Sequence, residues 1–163
     1  MIGSGEVKTR DECQVVDLLS DRKCDPFMKY PLKASLIAGG LLNKAPVVCG
    51  GGIGGSASPQ CFMYDRNDRG WKLHANLKTG RYYHAALVVG DKLWVTGGEE
   101  SGGGRSSLKS TEYVFANKSV LKGPDLPRAT SRHCAVDLLG ALYMIPFDRD
   151  ECFAEIRFYK EYT

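Results

Sequence analysis

Short apolar runs recur along the chain, and each is closed by glycine or by a polar turn. Tyr83–Val89 is one such run. Gly90-Asp91 makes a tight turn after it, and Lys92–Thr96 returns as the second arm of a hairpin. Gly97-Gly98 ends that arm, and the polar loop beginning at Glu99 leads to Ser110–Phe115. A turn at Ala116-Asn117-Lys118 precedes Ser119–Lys122, and Gly123-Pro124-Asp125-Leu126-Pro127 crosses to the next run. This alternation of apolar runs with turn residues predicts four antiparallel strands over residues 83–122.

The same unit returns along the chain. Pro46–Gly51 and Leu93–Gly98 are both apolar runs that end in a double glycine, and Gly50 and Gly97 stand 47 residues apart. Arg81–Val95 recurs as Thr130–Met144, which puts His84 and His133 at a spacing of 49. Cys13–Asp17 matches Cys61–Asp65 at 48. A period near 47–49 with several short strands in each unit is the signature of a propeller blade. The predicted fold is all-β, one repeat region over 1–163. It divides into a partial blade (6–30), two blades (31–77 and 78–126) and a partial, degenerate blade (127–163). That is an incomplete ring of about 3.5 blades.

The unit resembles the kelch repeat. The resemblance rests on the double glycines Gly50-Gly51 and Gly97-Gly98, the aromatic that follows each (Tyr64, Tyr113), Trp71 on the fourth strand, and an arginine before each new blade (Arg81, Arg128). Two features depart from the pattern. Ile145-Pro146-Phe147 stands where the last blade should carry Gly-Gly, and Val120-Leu121 replaces the tryptophan of the preceding unit. Ala38–Gly51, with Cys61 following, is similar to the cysteine-bearing kelch units of animal proteins. The resemblance implies a binding module that presents loops to a protein partner. Kelch-type propellers also include copper radical oxidases and sugar-processing enzymes, which makes an enzyme the alternative reading.

Composition narrows the classes. Lys plus Arg exceed Asp plus Glu by 22 − 19 = 3, dispersed along the chain, which is no footprint for nucleic acid. No apolar stretch reaches the length of a membrane span. Met1–Lys8 lacks the apolar core of a signal peptide, so the expectation is a cytoplasmic chain, or an extracellular one if a leader lies upstream. The six cysteines form no C-x-x-C pair, so neither zinc nor any other cofactor is expected. Cys49 ends a second strand and Cys61 begins the third, which makes them the first disulfide candidates; Cys13 and Cys24 are the next. An open arc of blades would leave apolar blade faces exposed and prone to self-association.

The chemistry-bearing residues are few. Glu99–Ser107, rich in glycine, is not a phosphate loop: Glu99 stands where its first glycine belongs, and Arg105 replaces the lysine. It reads as a display loop, with Glu99 and Glu100 solvated on it. Arg81, Arg128 and Arg132 sit at blade entrances, and with Arg105 they would offer carboxylate-binding groups on one propeller face. The alternative for Arg81 and Arg128 is a structural salt bridge to a neighbouring blade. His84 and His133 share one blade position, where each would make a local hydrogen bond or, with a third group, ligate a metal. No catalytic residue or metal ligand set emerges. The candidate binding residues are Arg81, His84, Glu99, Glu100, Arg105, Arg128, Arg132 and His133, and the structural ones Gly50, Gly51, Trp71, Gly97 and Gly98.

Overall fold

The computed structural model describes residues 11, 13–15, 25–101, 106–138, 141–145 and 157–159. They form an all-β, antiparallel structure. β1 (Cys13–Val15) pairs with β2 (Asp25–Phe27). β3 (Ala38–Leu42) and β4 (Ala45–Cys49) are followed by a small hairpin of β5 (Gly52–Ile53) and β6 (Ser56–Ala57). β7 (Gln60–Asp65) and β8 (Gly70–Asn76) then complete a four-stranded sheet in the order β3-β4-β7-β8. β9 (Ala85–Val89), β10 (Lys92–Thr96), β11 (Thr111–Phe115) and β12 (Val120–Lys122) make the next. β13 (Cys134–Leu138), β14 (Ala141–Ile145) and β15 (Arg157–Tyr159) make a three-stranded last sheet.

The first strands β3, β9 and β13 run beside one another, so each sheet is a blade with its first strand at the inside of the arc. Residues alternate between the faces of a strand, and here both faces are buried. On β10, Leu93 and Val95 join Leu42, Val47, Cys49 and Cys61 in the core between the two four-stranded blades. Trp94 points the other way and packs with Tyr113, Leu142 and Met144 against the last blade. A third core holds Tyr30 and Phe62, with Trp71 and Cys13 at its edge. Trp71 meets the rings of Tyr30 and Tyr64 edge-on, and its Nε1 donates to the Met28 carbonyl. Among the described residues the blades form an incomplete, propeller-like arc without closure, and no helix is long and apolar enough to cross a membrane.

Turn chemistry sets the blade ends. Asn43 and Lys44 both hold positive φ, 48° and 62°, the pattern of a two-residue hairpin turn whose twist matches its strands. The double glycine has a firmer cause. Gly97 has φ 56°, and a Cβ there would lie 2.3 Å from the Thr130 carbonyl oxygen and 2.9 Å from His133 Cε1. Gly50 repeats this one blade earlier, with φ 68° and a Cβ position 2.5 Å from the Arg81 carbonyl oxygen and 2.6 Å from His84 Cε1. Each glycine pair is therefore the seat for the entrance of the following blade, and no side chain fits in it.

Cys49 and Cys61 stand directly opposite on β4 and β7 and are joined by a disulfide, both fully buried. Cys13 carries a free thiol opposite Phe27, and Cys24, the partner expected for it, lies outside the described residues. The β5–β6 hairpin was not expected. Its signal is the two-residue Gly54-Gly55 turn, where both φ values are positive.

Candidate functional site

The connections at one end of the blades enclose an open recess of about 420 Å3. Its framework is a repeated entrance. The Gly51 N–H donates to the Arg81 carbonyl at 2.8 Å, and the Gly98 N–H donates to that of Thr130 at 2.9 Å. Ser35 bridges to Gly52, and Tyr82 to Glu99. The next residue in each of three entrances, Leu36, Tyr83 and Arg132, has a positive φ of 58°, 54° and 57°. Side chains with a Cβ rarely adopt this conformation, and it persists only where its surroundings hold it. Tyr83 therefore belongs to the entrance, and the strand begins at Ala85.

Leu36, Tyr83 and Arg132 all line the recess, with Tyr82 and Glu99 beside them. The Arg132 guanidinium lies over the Tyr83 ring, 4.0 Å from its centroid, and is attracted by the negative face of the ring. Arg132 Nε is 3.7 Å from Glu99 Oε1. That oxygen also accepts from Ser131 Oγ at 2.9 Å. The Arg132 side chain is 42% exposed, and among the described residues no other group pairs with it. Its two Nη groups carry the remaining N–H donors of the guanidinium.

Several sequence expectations are corrected here. Arg81 is wholly buried and cannot meet a ligand. Its five N–H donors are spent on the Thr79, Gly97 and Ser110 carbonyls, on Ser110 Oγ and on Glu112 Oε1. Glu112, itself buried, also accepts from the Lys78 and Thr79 N–H groups. Arg81 does form a structural salt bridge, but to Glu112 of its own blade and not to a neighbouring one. Arg128 is not its counterpart. Thr130 fills that backbone role, and Arg128 is exposed away from the recess lining. Glu99 is not solvated on a mobile loop: it is buried and bridged to Tyr82 and Ser107. Glu100 is exposed and outside the lining. Arg105 lies outside the described residues.

His84 and His133 are also buried and outside the recess lining. His133 Nε2 is 2.8 Å from Thr96 Oγ1 on the preceding blade, so its hydrogen bond joins two blades and is not the local one expected. Its Nδ1 and both His84 ring nitrogens lack well-formed partners. Burial lowers the His133 pKa to about 4. Burial first, then the charge of Arg81 and the neighbouring His133, takes His84 to about 3, with the Cys49 backbone acting the opposite way. Both rings are therefore neutral spacers against the glycine seats. Among the described residues no three His, Cys, Asp or Glu side chains gather to hold a metal ion.

No family model and no curated protein sequence matches the chain. Among solved structures, that of YjhT is similar in fold, with a TM-score of 0.70 over 85% of this chain at 13% identity. The chain spans 57% of the length of that structure.

Proposed function

We propose that this chain is a kelch-type propeller segment that serves as a protein-interaction module and takes an acidic group of its partner at Arg132. The observation that carries the reading is the posture of Arg132, stacked on Tyr83, paired through Nε with Glu99 and exposed in the lining of the recess. A guanidinium fixed in its plane has lost little further freedom when a carboxylate docks in bidentate fashion. Glu99 cancels part of the long-range charge, so recognition would depend on contact geometry more than on electrostatic steering. The repeat unit and its double glycines support the kelch assignment. The shallow recess, bordered by loops of successive blades, suits a protein surface or a peptide.

The test is selection of random peptides on the purified chain, followed by affinity measurement on wild type and Arg132→Ala. The expected result is enrichment of sequences with Asp or Glu at one position and at least about tenfold weaker binding to the variant. Enriched peptides without an acidic position, or with equal affinity for Arg132→Ala, overturn the proposal.

A further inference from the structure

In a four-stranded antiparallel blade the first and third turns lie at the end opposite the entrances. There a larger recess, of about 580 Å3, opens between the two four-stranded blades. Four cations line it, Lys44, Arg66, Lys72 and Lys118, against one carboxylate, Asp65. They differ in what they are free to do. The Lys72 ammonium pairs with Asp65 at 2.8 Å and also with Asp68. Those two bonds raise the Lys72 pKa, and the Lys72 contact leads in lowering that of Asp65. The only acid of the lining is thereby already matched. Arg66 spends one Nη on the Lys44 carbonyl, 2.7 Å away, and keeps the rest of its donor fork. Lys44 and Lys118 have no ion pair among the described residues.

The scaffold under these cations is fixed. Lys44 and Lys118 sit in turns at positive φ, 62° and 71°. His74, buried on β8, bonds through Nε2 to the Phe115 carbonyl of the next blade at 2.8 Å, which ties the two turns' blades together. That carbonyl can only accept, so Nε2 carries the proton. The rest of the lining is mixed: Asn43, Tyr64 and His74 stand beside the apolar Ala45, Met63 and Leu73. Leu73 is 48% exposed and Met63 half-buried. Like charges gathered at one opening without their own counter-ions are matched best by a ligand that brings several negative charges.

We propose that this recess is a second binding site, for an oxyanion ester with an apolar body: a phosphate or sulfate held by Lys44, Lys118 and Arg66, with its hydrocarbon part against Met63 and Leu73. Protein labelled with carbon-13 at the Met and Leu methyls would be titrated with phenyl phosphate and, separately, phenyl sulfate. The expected result is saturable shifts of the Met63 and Leu73 methyls, with affinity about tenfold lower in Lys44→Gln/Lys118→Gln. Affinity should also fall as salt is raised. Tighter binding of the phosphate assigns the site to phosphate esters, and equal binding extends it to sulfates. The circular dichroism of the double variant should match wild type, since both lysines are exposed turn residues. No saturable shift, shifts unchanged in the double variant, or shifts confined to Leu138 on the last blade would overturn the proposal.

Discussion

The two buried histidines should make the fold sensitive to acid by a calculable amount. Burial holds His84 near 3 and His133 near 4, whereas an unfolded imidazole titrates at about 6.5. The folded values are the lower ones. Above pH ~6.5 both states hold neutral rings, and the full stability is present. Below it the unfolded chain takes up protons that the fold refuses, and stability is lost as pH falls toward the folded values. At pH ~4.5, two units under the unfolded pKa, each ring costs about 2.5 kcal/mol, or about 5 kcal/mol for the pair. That is comparable with the whole stability of many domains, about 5–15 kcal/mol. The perturbation is His133→Gln, which removes the titrating group and keeps an amide near Thr96. Urea unfolding, followed by the fluorescence of Trp71 and Trp94, would be measured at about pH 7.5 and pH 4.5. The gap at the higher pH reports lost packing. It should shift in the variant's favour by about 2.5 kcal/mol at the lower pH. A gap that is the same at both pH values would refute the argument, because His133 would then titrate alike in both states.

Three more outcomes follow from the same geometry. Arg81→Met leaves Glu112 charged and buried without its partner and should cost about 3–5 kcal/mol in urea unfolding, with Arg81→Met/Glu112→Met recovering part of it. Cys49→Ala/Cys61→Ala opens a loop of sequence separation 12 and should lose about 3 kcal/mol; in the native wild type an alkylating reagent should reach exposed Cys134 and spare both bonded cysteines. The outer face of the last blade exposes Val136 and Leu138, at the repeat positions where Leu87 and Val89 receive the next blade, so Val136→Asp/Leu138→Asp should lower concentration-dependent association in analytical ultracentrifugation, and an unchanged sedimentation profile would count against that face.

The blades were legible because their ends are written in local chemistry. The strands of residues 83–122 begin and end within two residues of the sequence expectation, and Cys49 faces Cys61, the first disulfide candidate. At Gly97 and Gly50 two causes for glycine, a close approach and a positive φ, operate together. What the pattern could not give is the fate of a polar side chain at a blade boundary, which depends on groups that only the folded arrangement brings beside it. Glu99 follows two glycines and precedes three, which reads as solvated loop. A bridge to Tyr82 and a bond from Ser131 bury it instead. Arg81 and Arg128 look alike in a list of residues, yet the backbone aligns Arg81 with Thr130, as the match of Arg81–Val95 to Thr130–Met144 already did.

The entrance slot shows why fold and recognition separate in this chain. Leu36, Tyr83 and Arg132 share one strained backbone conformation, while their side chains are aliphatic, aromatic and cationic. The strain is held by groups around the slot: backbone bridges beside each of Leu36 and Tyr83 and, for Tyr83 and Arg132, a bond from the paired glycines to the entrance and a buried histidine that follows. The slot's own side chain is thus freed from holding the blade together. Changing it should alter what the recess accepts at small cost to stability, whereas changing the glycine or histidine beside it should cost the fold. The three slots converge on one recess, so a row of such exchanges would rewrite its surface without disturbing the cores between the blades.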